Sequence, residues 1–482
     1  MTSKPDLTTT AGRIEDLRNR LAESQAPVGQ DVACAARTRI EQLMDQGTFV
    51  ETDALARHRV EAYKMYRTKP ATDGVVTGYG LIDGRRVCVF SQDSTIFDGA
   101  IGEVYAEKML KIYELAMKTG VPVVGIYDSA GPRWQEGIVT AHMQAKILRA
   151  ASVASGLIPQ VAVVAGQTNS LAATTVPLAD VTVMVEGASL QLAGAAVAAA
   201  AHGAETGLAH LTAADDAEAL DRVRTLLSYL PLNNQAGSPL GMQPRTTVEP
   251  TPANLDEFMP DDDDAAYDAA EIIASVTDGD FFELSGSYAP NVITGFSHIG
   301  GRAVGIVATQ PNVDQGRLSN AAARKAARFI RTCDAFNIPV LQFLDCPGFV
   351  EGDAEACAPA GAAALAYAFA EAQVGTVTVI TRKALGAAYT LLGSKGLGAD
   401  LVYAWPTAQI ALADAATAAT QIGTDAAEYE AENLNPYVAT ERGLVDAVIE
   451  PSQTRHQVLE GLRLLERKVV YPTPKKHGNI PL

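Results

Sequence analysis

The stretch GVVTGYGLIDGRRVCVFSQD at residues 74–93 recurs, with the same pattern of glycines and apolar residues, as NVITGFSHIGGRAVGIVATQ at residues 291–310. The two copies are 217 residues apart, and the same offset carries VPVVGIYDSAG, which contains Asp128, onto IPVLQFLDCPG, which contains Asp345. One apolar strand could match another by chance, but an ordered series of matches indicates an internal duplication. The sequence therefore predicts two homologous domains.

A third match extends the duplication. PLADVTVMVEGASLQL, Pro177–Leu192, corresponds to GLGADLVYAWPTAQIAL, Gly396–Leu412, at an offset of 220 that a three-residue insertion explains. Between the copies, the chain is rich in proline and turn residues and lacks sustained periodicity, which is typical of a linker. We predict an N-terminal domain at 1–232, a linker at 233–264 and a C-terminal domain at 265–482.

Each half alternates short β-branched runs with helical stretches. Runs such as VPVVGIY and VAVVA are apolar on both faces, which suits strands buried between helix layers in an α/β domain. The helix predicted at 103–120 ends on Lys118, Thr119 and Gly120, a cationic last turn followed by a glycine stop.

Composition excludes several classes of function. Hydrophobic residues make up 48% of the chain and charged residues 20%, and the net charge is -18, so a nucleic-acid or anionic-membrane partner is not expected. No apolar run reaches membrane-spanning length and the N-terminus lacks a signal-peptide core, so we expect a cytoplasmic protein. The five cysteines lack CxxC pairs and the seven histidines lack HxxxH or HExxH spacing, so no metal site is expected.

Three loops follow apolar strands and carry small residues before a helix: Asp128–Gly137, Asp345–Asp353 and Arg382–Gly393. Such a loop presents backbone N–H groups that are not consumed by helical hydrogen bonds and can face an oxygen that gains negative charge during a reaction. The alternative is a tight turn in which glycine only supplies the backbone angles. For each loop taken alone, both interpretations stand.

Several long motifs, in order, carry a family resemblance: ATDGVVTGYGLIDGRRVCVFSQD, ARFIRTCDAFNIPVL, VITRKALGAAY, LGSKGLGADLVYAWPTAQIAL and the terminal KKHGNIPL. From about residue 37 to 482 the chain resembles the carboxyltransferase β subunits of actinobacterial acyl-CoA carboxylases, of the propionyl-CoA carboxylase type. The resemblance implies two tandem crotonase-like domains of the ClpP/crotonase superfamily. It also implies a homo-hexamer, or a hetero-hexamer with related β subunits.

The resemblance also implies a reaction. A carboxyl group passes from carboxybiotin, carried on a biotin carboxylase or biotin carrier subunit, to the α-carbon of an acyl-CoA, a CoA thioester substrate. The protein then contributes mainly electrostatic stabilisation, because pairs of backbone N–H groups bind the thioester enolate oxygen and the biotin ureido oxygen. No side-chain base is implied.

Candidate site residues follow from the matching motifs. The candidate catalytic positions, which provide backbone N–H groups, are Gly386, Ala387, Ala388, Ser170 and Leu171. The candidate substrate-binding positions are Thr390, where the family selects acyl-chain length, and Gly131, Arg133, Gly348 and Phe349. No metal ligand is among them.

The chain departs from the family mainly in its N-terminal copy. Ser170 and Leu171 stand where the family has two glycines, and Pro132 replaces an alanine and has no N–H to donate. In the C-terminal copy Ala387 replaces a glycine, a pair of arginines that the family has after residue 353 is absent, and the segment after Ala411 is shorter than in the family. The segment between Leu192 and His210 is also shorter than the family's CoA-covering section.

These departures leave three hypotheses. The first is an active carboxyltransferase for a short acyl-CoA. The second is a biotin-independent thioester enzyme, a decarboxylase or acyl-transfer catalyst, that uses the C-terminal turn. The third is a non-catalytic structural subunit of a carboxylase complex.

Overall fold

The computed structural model describes residues 5–26, 35–241, 255–351, 357–471 and 473–480. The chain divides into two compact units: Met1–Leu227 with Leu232–Asn234, and Ser228–Pro231 with Gln235–Leu482. The sequence-based domain boundaries at 232 and 264 remain a prediction, and part of the proposed linker lies outside the described residues.

The first unit contains one mixed sheet with helices, and its last helix, α6, runs into the short Ser228–Pro231 segment of the second unit. The helices are α1 (Thr10–Gln25), α2 (Ala35–Leu43), α3 (Glu103–Thr119), α4 (Ile138–Ala154), α5 (Ala199–Ala204) and α6 (Asp216–Tyr229); the strands are β1 (Val50–Thr52), β2 (Val75–Ile82), β3 (Arg85–Gln92), β4 (Val123–Ser129), β5 (Gln160–Asn169), β6 (Val181–Val185), β7 (Ser189–Gln191) and β8 (Leu211–Ala213).

The second unit repeats this sequence of elements. Its helices are α7 (Ala269–Val276), α8 (Asn320–Ala335), α9 (Ala358–Glu371), α10 (Ala387–Leu391), α11 (Ala415–Ile422), α12 (Ala426–Asn433), α13 (Pro436–Glu441) and α14 (Thr454–Leu465); its strands are β9 (Phe282–Leu284), β10 (Val292–Ile299), β11 (Arg302–Thr309), β12 (Val340–Cys346), β13 (Thr376–Leu385), β14 (Leu401–Ala404), β15 (Gln409–Ala411) and β16 (Ala447–Val448).

The two sheets have the same topology. In the first, the order is β1-β2-β3-β4-β5-β6-β8, with β7 also paired to β5; in the second, it is β9-β10-β11-β12-β13-β14-β16, with β15 paired to β13. The hairpin β2–β3 and its counterpart β10–β11 are antiparallel, and the strands that follow are parallel. The duplication inferred from the sequence is therefore present as a repeated fold.

Local sequence explains the central elements. The parallel strands are buried on both faces, as Val181–Val185 illustrates, and this agrees with their continuous apolar runs. Helix α3 ends as predicted: Gly120 is left-handed, with a φ of 64°, and its N–H bonds to Ala116 O at 2.8 Å. Among the described residues, no helix is both long and apolar enough to cross a membrane.

Both sheets place a turn at the carboxyl end of their central parallel strand. In the first unit β5 ends at Asn169 and a 3-10 turn covers Ser170–Thr174; in the second, β13 ends at Leu385 and Gly386 precedes α10. Loops at this end of a parallel sheet are where ligand sites of α/β proteins form.

Candidate active site

The turn at Gly386 has a geometry that only glycine adopts easily. Its φ is 50° and its ψ is -114°, and a Cβ placed there would lie 2.7 Å from the carbonyl oxygen of Leu412. The N–H of Gly386 donates to Ala411 O at 2.9 Å, at the end of β15, which anchors the turn to the neighbouring strand. The chain thus reverses sharply between β13 and α10 without room for a side chain.

The turn leaves backbone donors at the start of α10. Thr390 N–H bonds back to Gly386 O at 3.1 Å, whereas within the described residues the N–H groups of Ala387 and Ala388 have no acceptor. Ala387 is exposed and Ala388 is fully buried. Ala387 also lies within the helix and does not have a positive φ, so the alanine that replaces a family glycine suits its backbone angles. Ala387 is therefore the accessible donor position of the pair.

Thr390 lies on the first turn of α10. It is exposed, and its hydroxyl bonds to Gly386 O at 3.0 Å. Its candidate role in acyl-chain selection stays a prediction.

A buried ion pair fixes the strand that carries the turn. Arg382 Nε lies 2.9 Å from Asp345 Oδ2, and Asp345 Oδ1 accepts the N–H of Lys383 at 2.9 Å. Burial raises the pKa of Asp345, against the lowering effect of the Arg382 charge. The ring of Tyr267 lies 5.0 Å from the guanidinium of Arg382 and completes its packing. Asp345 and Arg382 both lie in loops that the sequence analysis selected. Because neighbouring parallel strands end at the same edge of a sheet, their positions at the ends of two strands could have predicted this contact.

The loop after β12 lies beside this turn because β12 and β13 are neighbours, with Cys346 paired to Ala384. Gly348 has a φ of 142°, and its carbonyl accepts the N–H of Leu318 at 2.9 Å. Phe349 is half-buried and pairs with Leu318 in an isolated bridge. The structure therefore brings Gly348 and Phe349 to the same sheet end as Gly386. The rest of this loop, at 352–356, lies outside the described residues.

The equivalent turn of the first unit keeps the backbone path with different side chains. Ser170 has a φ of 52°, nearly that of Gly386, although serine rarely adopts this region. Leu171 does not have a positive φ, is half-buried and accepts a hydrogen bond from the Thr174 hydroxyl at 2.6 Å. Of the two residues that stand at family glycine positions, only Ser170 therefore adopts a backbone angle that favours glycine. Leu171 changes the turn through the bulk of its side chain.

Gly131 packs directly against this turn. Its φ is 103°, and a Cβ built on it would lie 2.9 Å from Asn169 O and 3.1 Å from Ser170 Cβ. Its N–H is held by the Ser129 hydroxyl at 3.2 Å, and its carbonyl accepts the N–H of Ile101 at 2.8 Å. The structure brings Gly131 and Ser170 together, but it engages the N–H of Gly131 within the protein.

Arg133 lies in a buried ion-pair network. Its guanidinium contacts both carboxylate oxygens of Asp73, Glu136 Oε1 at 3.0 Å and Ala100 O at 2.9 Å, and its side chain is only 1% exposed. It also lies over the ring of Phe97 at 4.6 Å. These contacts show that Arg133 holds the loop after β4 in place. They occupy its guanidinium within the protein and do not favour direct contact with substrate, which stays a prediction.

The sequence analysis did not predict one ion pair of the first unit. Asp128, the counterpart of Asp345, contacts Arg39 Nη1 at 3.4 Å and accepts the Ser94 hydroxyl at 2.9 Å. The position equivalent to Arg382 is Gly166, and a Cβ there would lie 2.1 Å from Asp128 Oδ1. Because the neutralising arginine comes from α2, outside the duplicated segments, the repeat gave no signal for it.

The described residues contain no group of three or more histidine, cysteine, aspartate or glutamate side chains arranged to hold a metal ion.

Comparison with known proteins agrees with this architecture. A model of the carboxyl transferase domain matches residues 27–480. The chain is 44% identical to the biotin-dependent acetyl-/propionyl-coenzyme A carboxylase beta5 subunit of Mycobacterium tuberculosis, over 99% of this chain and 96% of the relative. It is also 44% identical to the propionyl-CoA carboxylase beta chain of Saccharopolyspora erythraea, over 99% and 97%.

A solved structure is similar over almost its whole length. The transcarboxylase 12S hexamer, in a form with hydrolysed methylmalonyl-coenzyme A bound, superposes with a TM-score of 0.95 at 37% identity and covers 98% of this chain and 99% of that one. The repeated sheets and their strand–turn–helix ends thus define a tandem crotonase-like protein, as predicted. The chain belongs to the carboxyl transferase family, which confirms the resemblance drawn from its motifs.

Proposed function

We propose that this chain is the carboxyltransferase β subunit of a biotin-dependent acyl-CoA carboxylase. In this proposal it transfers a carboxyl group from carboxybiotin to the α-carbon of a short acyl-CoA. The full-length similarity to carboxylase β subunits and to a methylmalonyl-coenzyme A complex of transcarboxylase supports this function over the decarboxylase and structural-subunit hypotheses.

The observation that carries the proposal is the turn at Gly386. A glycine with no space for a Cβ is followed by two backbone N–H groups without an acceptor among the described residues. Donors fixed in this way stabilise an oxygen that gains negative charge, and the loss of one such donor costs about 3 kcal/mol in the transition state. The turn therefore suits a reaction that passes through an oxyanion.

The residues of the C-terminal turn fit a ureido oxygen. Gly386 presents no side chain, Ala387 presents only a methyl group, and Ala387 is exposed, so a small carbonyl oxygen can approach its N–H. Carboxybiotin, when bound, supplies the carboxyl group that is transferred. The role of this chain is to hold the oxygen and to orient it.

The N-terminal turn leaves less space for a thioester oxygen than the C-terminal turn leaves for a ureido oxygen. Ser170 reproduces the backbone angle of Gly386, but Leu171 adds an isobutyl group next to it. We propose that the turn still receives the acyl-CoA carbonyl, with Leu171 limiting the space beside it. Ser170 and Leu171 act in this proposal through their backbone N–H groups.

The proposed assembly is a homo- or hetero-hexamer of β subunits that works with a biotin carboxylase and biotin carrier partner. A cytoplasmic location is part of the proposal. It is supported by the cysteines of the described residues, Cys88, Cys333, Cys346 and Cys357, which are free thiols, because free thiols persist in reducing compartments. Cys34 lies outside the described residues.

The test is reconstitution. The purified chain, mixed with a biotin carboxylase and biotin carrier protein, is expected to carboxylate propionyl-CoA or acetyl-CoA in a reaction that requires ATP and bicarbonate. Labelled bicarbonate incorporated into an acid-stable product measures the transfer. Incorporation that does not depend on this chain would contradict the proposal, as would loss of carbon dioxide from methylmalonyl-CoA without biotin.

A further inference from the structure

The first unit has an apolar groove at the end of its β2–β3 hairpin, distinct from the turn at Ser170. The groove has a volume of about 420 Å³ and lies between the hairpin and the C-terminal end of α3. Tyr79 and Leu81 line it from β2, and Leu115 and Thr119 line it from α3. A cavity of this size is within the range of small-molecule sites, roughly 300–1,000 Å³.

The floor of the groove is uncharged. Cys88 pairs with Tyr79 across the hairpin, so both side chains are on one face, and burial raises the pKa of the Cys88 thiol to about 11. Tyr79 is 40% exposed, and Val50, which pairs with it from β1, is 47% exposed. The uncovered surface is therefore mostly apolar, and its burial by a ligand would be favourable.

One charge lies at the edge of this groove. Arg86 lines the groove and is exposed, and its guanidinium has no hydrogen-bond or ion-pair partner among the described residues. The nearby Asp83 is paired with Arg224, so it does not neutralise Arg86. The groove thus combines an apolar floor with an unpaired cation in a chain whose net charge is -18.

The second unit covers the same face with its own chain. Phe296 and His298 are the counterparts of Tyr79 and Leu81, and the ring of Tyr229 stacks on them at 5.9 Å and 4.8 Å. The position of Arg86 is taken there by Ala303, which is fully buried. The fold therefore stabilises this face by covering it with an apolar group. In the first unit the groove is open, and Arg86 stands where the second unit has Ala303.

We propose that this groove binds an amphipathic carboxylate of the fatty-acid class, with its hydrocarbon chain on the Tyr79–Leu115 floor and its headgroup paired with Arg86. Arginine and carboxylate match in geometry and charge, and the apolar lining of the groove favours a hydrocarbon chain over a compact anion. This site is independent of the carboxyl-transfer reaction, so its test does not require activity.

The experiment is calorimetric titration of the full chain with decanoate below its micellar concentration. The wild type is expected to bind one decanoate per chain, and Arg86→Gln is expected to weaken that binding about tenfold, as loss of one charged pair would. Arg18→Gln removes the same charge from the exposed surface of α1 and is expected to leave binding unchanged. Decan-1-ol, which lacks the carboxylate, is expected to bind the wild type and Arg86→Gln with equal affinity.

A second variant tests the groove itself. Thr119→Phe introduces the residue that the second unit has at the equivalent position, Phe336, and is expected to fill the groove and abolish binding of decanoate and decanol alike. The inference is overturned if the wild type does not bind decanoate, or if neither Arg86→Gln nor Thr119→Phe changes the affinity. It is also overturned if Thr119→Phe alters the oligomeric state in sedimentation experiments, because the groove would then be a contact between copies of the chain.

Discussion

Ser170 and Gly386 occupy the same turn in the two domains, with φ values of 52° and 50°. Glycine adopts this angle without cost, whereas a serine in it is strained by about 1 kcal/mol or more. The duplication has therefore preserved a backbone path at a position where one copy no longer has the residue that the path favours. This conservation of the turn supports a shared requirement for its N–H groups.

Reciprocal substitutions at this pair are expected to have opposite effects on stability. Ser170→Gly removes strain and is expected to leave the free energy of unfolding unchanged or to raise it by up to about 1 kcal/mol. Gly386→Ser adds both strain and a Cβ that would lie 2.7 Å from Leu412 O, and is expected to cost about 1–3 kcal/mol. Chemical unfolding of the two variants measures this. Equal destabilisation by both substitutions would show that the two turns are not equivalent.

The buried Arg133–Asp73 pair is expected to stabilise the fold. Arg133→Gln leaves the Asp73 carboxylate buried without its partner and is expected to lower the free energy of unfolding of its domain by about 3–5 kcal/mol. The control is Arg20→Gln, which breaks the exposed pair with Asp16 and is expected to cost less than about 1 kcal/mol. If Arg133→Gln instead weakens CoA binding at unchanged stability, the arginine binds substrate directly.

Because of Lys325, the free energy of unfolding is expected to change with pH in the alkaline range. Its ammonium group is buried on α8 and donates to the carbonyls of Ser285 and Tyr288 at 2.8 Å, and burial lowers its pKa to about 8, against the attraction of Glu283. Between pH 8 and its ordinary pKa of 10.5, the unfolded chain binds more protons than the folded one, so this group makes stability increase with pH.

The change attributable to Lys325 over that pH range is expected to be about 3 kcal/mol, and none is expected below pH 8. The difference between wild type and Lys325→Met, followed by chemical unfolding at several pH values, isolates it from other titrating groups. A constant difference between pH 7 and 10.5 would show that the buried lysine does not titrate there.

Leu171 is expected to limit the N-terminal turn. Leu171→Gly removes the isobutyl group beside Ser170 and is expected to raise kcat/KM for propionyl-CoA several-fold, up to about tenfold, with a smaller gain for Leu171→Ala. The control is Leu192→Ala, which truncates an exposed leucine elsewhere in the same domain. Steady-state kinetics in the reconstituted system measure the effect. A fall in kcat/KM for Leu171→Gly would indicate that the leucine contributes to binding.

The repeat determined most of what the sequence could predict. The two homologous α/β domains and the equivalence of the turns after β5 and β13 follow from patterns that occur twice in the chain, and the cationic last turn before Gly120 predicted the end of α3. The partners of charged side chains could not be predicted in the same way. Arg39, which contacts Asp128, lies outside the repeat, and Arg133 is buried in a network with Asp73 and Glu136. Local sequence does not show which charges a folded loop will bury.

The role of the Ala387 N–H is tested by comparing Ala387→Pro with Ala387→Gly in the reconstituted carboxylation of propionyl-CoA. Ala387 is the first residue of α10, where proline suits the helix but has no N–H, so the variant removes one donor with little effect on the fold. We predict that Ala387→Pro lowers kcat about 10²–10³-fold, as loss of an oxyanion donor does, while Ala387→Gly retains most activity. Equal activities of the two variants would contradict a role for this N–H in the reaction.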